Sequence, residues 1–161
     1  QNPLGLAPDA TLLEAGIKTP ELRYTRLDGG QTESLAETHR GKIVVVTFWA
    51  TWSEPCQAAL TDLQKTAAKY TSLKDKIVFL SICIDGEVSN LPGPELLKRA
   101  STHAKEKEWT HTINGWSAIE DRKNWHVASM PLTYIIGPDG KILLSDPRET
   151  LDKALAPYLK P

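Results

Sequence analysis

Cys56 and Cys83 are the only thiols in the chain, and the surroundings of Cys56 are those of a working sulfur. It follows Glu54-Pro55, a pair that opens a helix with an acid and a proline at its first positions. A cysteine in a first helical turn faces free N–H groups and the positive end of the helix dipole, and both favour the thiolate. The thiolate is the nucleophile. The chemistry on offer is therefore formation of a mixed disulfide or oxidation to a sulfenic acid. Cys83 sits near the end of an apolar run, 77–84, where alternation puts it on one face with Phe79, Ser81 and Asp85. It reads either as an inert strand cysteine or as a partner for Cys56 at the carboxyl end of a strand, where sites of open α/β sheets gather. His39, His103, His111 and His126 are too scattered for a metal-ligand pattern, and no glycine-rich phosphate loop is present. No metal and no cofactor are expected.

The elements that must position Cys56 follow from hydrophobic spacing. Residues 43–49, Ile-Val-Val-Val-Thr-Phe-Trp, read as a strand buried on both faces. The chain turns at Thr51-Trp52-Ser53, and Leu60, Leu63, Ala67 and Tyr70 carry a helix over about 54–71. A second buried strand covers 77–84. A charged helix over 95–108 turns Leu96, Leu97, Ala100 and Ala104 inward, and 109–113 reads as a short strand ended by a turn at Asn114-Gly115. After a segment of mixed helical character, 116–125, comes a strand over 132–136. Gly137-Pro138-Asp139-Gly140 then makes a tight turn, 141–144 pairs back, and a helix over 149–159 ends the chain. In front, 21–27 and 31–35 form a hairpin around Asp28-Gly29-Gly30, followed by a helical turn over 36–39. Residues 1–20 form an extended leader. With no repeat and no linker, the 161 residues read as a single α/β domain.

Composition excludes several classes. A content of 40% hydrophobic and 24% charged residues is that of a globular protein with a real core. A net charge of −1 without a basic stripe leaves no footprint for nucleic acid. No apolar run approaches the roughly 18–20 residues that span a bilayer. The chain opens at Gln1 without a signal-like segment, as expected of a mature chain whose targeting segment was removed.

Phe48-Trp49-Ala50-Thr51-Trp52-Ser53-Glu54-Pro55-Cys56 resembles the active-site segment of thioredoxin-like proteins, and most of all the TlpA/ResA-type thiol-disulfide oxidoreductases. The family pattern, Phe-Trp-Ala-x-Trp-Cys-x-Pro-Cys, is matched at every fixed position but one: Ser53 stands at the first cysteine. Met130-Pro131-Leu132-Thr133-Tyr134 through Gly140-Lys141-Ile142 resembles the family's cis-proline loop and its hairpin, and Trp109, Trp116 and Trp125-His126-Val127 add to the likeness. The resemblance covers roughly residues 20–159. It implies a thioredoxin-like fold of three layers, α/β/α, around a mixed central sheet, with the hairpin as an amino-terminal extension. It implies Ser53, Cys56 and Pro131 at the catalytic positions, with Trp52, Glu54, Pro55 and Met130 against the substrate. It further implies a protein or peptide disulfide as substrate, an upstream thiol-disulfide electron donor, and a periplasmic or other extracytoplasmic location, free or membrane-tethered.

The departures from the pattern carry equal weight. A serine hydroxyl has too high a pKa to attack disulfides near neutral pH, so this chain cannot run a two-cysteine exchange at the motif. Thr47 stands where thioredoxins place a buried Asp, and Ala59 and Thr61 where TlpA and ResA relatives carry a Glu and a kinking Pro. Neither usual base is available to Cys56. Three readings result. The first is a TlpA/ResA-type oxidoreductase in which serine has been substituted for the first cysteine. The second is a natural Ser-x-x-Cys protein, working through one cysteine or holding peptides without chemistry. The third is a peroxiredoxin-like peroxidase using Cys56, which would need a proline where Trp49 stands.

Overall fold

The computed structural model describes residues 12–50, 55–73, 75–84, 93–117, 119–127, 129–147 and 150–159. Its centre is a parallel pair, β3 (Ile43–Trp49) and β4 (Ile77–Cys83), in which every residue is buried. The pair runs in register from Ile43 opposite Ile77 to Trp49 opposite Cys83. Strand β5 (Ile113–Trp116) continues the sheet in parallel beyond β4. On the other side β6 (Leu132–Ile136) and β7 (Ile142–Ser145) add antiparallel strands. The hairpin of β1 (Arg23–Arg26) and β2 (Thr32–Ser34) joins outside β5. The seven strands lie in the order β2-β1-β5-β4-β3-β6-β7.

Alternation along β3 divides the core. Val44, Val46 and Phe48 pack on one face with Tyr24, Trp125 and Tyr134. Ile43, Val45 and Trp49 face the other way, onto side chains of α2 (Pro55–Lys69), α3 (Gly93–Glu106) and α5 (Leu151–Leu155). The steps from β3 to β4 and from β4 to β5 go in one direction, so right-handed crossovers put α2 and α3 on the same face. The return from β5 to β6 passes through α4 (Ile119–Asn124) to Trp125 on the opposite face. This is the thioredoxin-like three-layer arrangement, with the hairpin as its extension.

Two expectations are corrected. The strand expected over 109–113 lies at Ile113–Trp116, and Asn114 and Gly115 are inside it rather than in a turn. Asn114 is satisfied there: its Oδ1 accepts from Ser81 Oγ at 2.7 Å and its Nδ2 donates to the Trp109 carbonyl at 2.8 Å. Gly115 is required there, because a Cβ would stand 2.7 Å from Tyr24 Cδ1 and 3.2 Å from Ile82 Cδ1. The final helix is also shorter than expected. Thr150 caps it, its Oγ1 accepting from Lys153 N, and the chain tightens to a 3₁₀ turn at Ala156–Tyr158, where Pro157 has no N–H to continue the ladder.

The described part of the leader is a fitted piece of the fold. Gly16 N donates to Ile142 O at 2.8 Å and Thr19 N to Gly140 O at 3.0 Å, so this segment covers the edge of β7. Leu13 is buried, with its N–H on Tyr134 Oη. No helix among the described residues is long and apolar enough to cross a membrane. Short α1 (Leu35–Thr38) is capped by Ser34, whose hydroxyl also donates to Glu21. Glu21 has a second effect. Burial, then the charges of Glu120 and Glu21, push the Asp121 carboxyl up to about 6.

Gly115→Ala is expected to destabilise the protein by about 1–3 kcal/mol in urea unfolding, because the new methyl must displace the Tyr24 ring. Asp121 holds its proton more tightly folded than unfolded. The contribution of Asp121 to stability is therefore greatest below about pH 4, falls as pH rises towards 6, and is flat above it. Asp121→Asn is expected to raise stability at about pH 7 by roughly 1 kcal/mol, a value reduced for the half-exposed site, and to change nothing at about pH 4.

Candidate functional site

Strand β3 ends at Trp49 with its neighbours on both sides still paired, so the chain leaves the sheet at its carboxyl edge and re-enters as α2. Trp52, Ser53 and Glu54 lie outside the described residues. Pro55 is the first residue of α2, where its missing N–H costs nothing. Cys56 follows in the first turn and is wholly buried, in one cluster with Trp49, Leu60 and Leu63. Thr61, at the position of the family's kinking proline, donates its hydroxyl to Gln57 O at 2.9 Å within the helix.

The second predicted group arrives on β6. The Met130–Pro131 peptide is cis. Phe48 pairs with Leu132, and the register carried one residue further sets Pro131 beside Trp49. Met130 is half-buried and packs against both core clusters, including the one that holds Cys56. Thr47, which replaces the family's buried Asp, faces the Cys56 side of the sheet. Its hydroxyl lies 2.8 Å from that of Thr133, its register partner on β6. A neutral hydroxyl pair thus fills a place where a carboxylate would have to be held in a buried setting. Ala59 presents a methyl. Neither position offers a proton acceptor of the usual kind to Cys56.

Cys83 is fully buried on the Cys56 face of the sheet, opposite Trp49. No disulfide joins the two cysteines. A cavity of about 800 Å³ opens elsewhere, at the other end of the strands, among Lys42, Tyr70, Ile77, Phe79 and Lys105. The described groups with shifted pKa values also lie away from the first turn of α2; Tyr70 and Asp152 bond each other at its far end. Tyr24 donates to Glu33 at 2.9 Å and lies 2.7 Å from His39 Nε2. Burial raises the phenol far above its ordinary value and pushes the imidazole down.

Sequence reasoning missed one neighbour of α2. His103 on α3 sits with its ring 5.3 Å from that of Trp49 and 5.4 Å from that of Trp109, and its Nε2 is 3.3 Å from Gln57 Oε1. A histidine one residue before an inward alanine carries no sequence signal of its own. The contact comes from the crossing of α2 and α3, which no local pattern contains. Further down α2, Gln64 bonds Thr112 Oγ1 at 2.6 Å and His111 N at 3.2 Å, tying the same helix to the start of β5.

Residues 7–146 match the family model described as Redoxin. The thiol-disulfide oxidoreductase ResA of Bacillus thuringiensis subsp. konkukian is 26% identical over 148 residues, which cover 92% of this chain and 78% of that protein. Two solved structures share the fold. A thiol:disulfide interchange protein from Bacteroides sp. aligns with a TM-score of 0.72 at 20% identity, over 91% of each chain. The pneumococcal exposed lipoprotein thioredoxin Etrx1 of Streptococcus pneumoniae TIGR4 aligns at 0.68 and 21%, over 87% of this chain and 98% of that one.

Thr47→Val keeps the shape of the side chain and leaves the Thr133 hydroxyl without its partner. Urea unfolding is expected to show a loss of about 1–2 kcal/mol, and the Thr47→Val/Thr133→Val pair a loss smaller than the sum of the two single changes.

Proposed function

This chain is a TlpA/ResA-type, thioredoxin-like member of the redoxin family, and from that premise we propose that it is a scaffold for thiol–disulfide exchange whose nucleophile position is filled by Ser53. The observation that carries the reading is the place of Cys56, fully buried in the first turn of α2 and packed in one cluster with Met130. A buried thiol is poorly placed to meet an external disulfide and well placed to attack a sulfur already bonded three residues before it. That is the second step of the exchange, not the first.

With a thiolate at position 53 the balance is complete. That sulfur attacks the substrate disulfide, forming a mixed disulfide and releasing one substrate thiolate. Cys56 then attacks the sulfur at 53 and releases the second, and a donor dithiol returns the two electrons. Trp52, Glu54, Pro55 and Met130 contact the substrate in this reading, and Pro131 stands across from the motif at the start of β6. In the chain as it is, Cys56 alone remains, competent for a mixed disulfide or a sulfenic acid. The substrate is a protein or peptide disulfide, and the location is extracytoplasmic, a reading supported by the ResA relative and by a structural neighbour that is itself an exposed lipoprotein. One observation favours a second reading. The Thr47–Thr133 hydroxyl pair and Ala59 leave Cys56 without a carboxylate at either usual place, which suits a protein that works through one cysteine or holds peptides without chemistry.

Insulin disulfide reduction separates the two. The chain as it is should leave the rate at the background set by the reducing agent, and Ser53→Cys should raise it by roughly an order of magnitude or more. If both proteins stay at background, the exchange reading fails and the second stands.

A further inference from the structure

We infer that the cavity at the start of β4 is a binding site for a small organic anion, an apolar body carrying a carboxylate. It lies at the opposite end of the strands from Cys56 and does not depend on the exchange reading. The cavity exists because the sheet has a gap. β4 begins at Ile77, but β5 joins it only at Leu80, which pairs with Ile113. Each residue of a parallel strand turns its N–H and C=O to one neighbour, and the side alternates along the strand. Ile43 N bonds Lys76 O, and Ser117 N bonds Cys83 O, so Ile77, Phe79, Ser81 and Cys83 turn towards β5. Carried back, the ladder would need His111 beside Ile77 and Phe79. His111 N instead donates to Gln64 Oε1 of α2 at 3.2 Å, and Thr112 is held by the same side chain. Among the described residues the Phe79 N–H and the Ile77 N–H and C=O therefore have no strand partner along this wall. Backbone groups in so buried a strand need water or a ligand to satisfy them.

Size and lining name the class of ligand. About 800 Å³ falls within the roughly 300–1,000 Å³ of small-molecule sites. Ile77, Ala104 and the rings of Tyr70, Phe79 and Trp109 form an apolar wall, with Tyr70 stacked on Phe79 at 6.5 Å. The charges around this wall favour an anion. Arg26 is taken up by Asp28 at 3.0 Å and Glu33 at 3.6 Å. Burial pushes the His39 imidazole towards its neutral form, with its Nε2 2.7 Å from Tyr24 Oη. Lys42 and Lys105 are in no ion pair among the described residues. Of the two lining carboxylates, Asp28 is on Arg26 and Glu108 stands alone, one charge against two lysines. Lys105 comes from α3 and Lys42 from beside His39, so cations flank the open edge from two elements. An apolar acid would cover the aromatic wall, accept from the Phe79 N–H and meet a lysine.

The test is a titration of the ¹⁵N-labelled chain with phenylbutyrate and with phenylbutanol, which has the same ring and chain without the charge. Phenylbutyrate should move the Ile77 and Phe79 amide signals saturably, with a dissociation constant of about 1 mM. The signals of the first turn of α2 should stay in place. Replacing the acid by the alcohol should weaken binding roughly tenfold, and so should the double change Lys42→Gln/Lys105→Gln in the protein. Circular dichroism confirms the fold of that variant, whose lysines lie outside the core. Ile77 and Phe79 signals that do not move, or shifts confined to the first turn of α2, overturn the site. Binding of the alcohol as tight as that of the acid, or unchanged by the lysine substitutions, overturns the anion assignment. An inert Ser53→Cys protein would contradict the proposed function and leave this result standing.

Discussion

The burial of β3 on both faces and both edges is the constraint from which the rest follows. Seven consecutive buried residues belong in the middle of a sheet covered by helices on each side. Parallel pairing with β4 then demands a crossover, and α2 is that crossover. Its first turn has to lie over the carboxyl end of the strand it leaves, and Cys56 is in that turn. Antiparallel pairing with β6 brings Pro131 to the same end from the other side. Thiol and proline loop are neighbours because one strand cannot be exposed.

Two neutral polar pairs lie inside this frame. Thr47 meets Thr133, and Ser81 meets Asn114, which is held in turn by Thr112 and the Trp109 carbonyl. Each pair joins adjacent strands on the α2 face. Hydroxyls and amides satisfied in this way cost little to bury, whereas a carboxylate at Thr47 would have to be desolvated beside the core. The fold thereby gives up a base at position 47 and keeps a tightly tied sheet.

Much of this was legible in the sequence, and the reason differs by element. The two apolar runs at 43–49 and 77–84 announce buried strands because no other structure hides so many β-branched residues in a row. The hairpin announces itself through Asp28-Gly29-Gly30, with Gly29 and Gly30 both at positive φ. Asn114 and Gly115 misled for the same cause that makes them useful. Both are turn formers by local preference, and both are placed in β5 by tertiary contacts, the one by Ser81 and Trp109, the other by the Tyr24 ring. The leader gave no periodicity, since its part along β7 is a few backbone bonds rather than a face. His103 was invisible because its neighbours come from two other elements.

The measurement that bears most directly on the exchange scaffold is the mass of the Ser53→Cys protein after equilibration in glutathione buffers of graded potential. If the fold holds positions 53 and 56 as partners, a single two-electron transition should remove two protons and leave an internal disulfide between them, with Cys83 unmodified. Glutathione accumulating at position 53 with no internal disulfide at any potential would contradict that claim, and with it the reading of Cys56 as the resolving thiol.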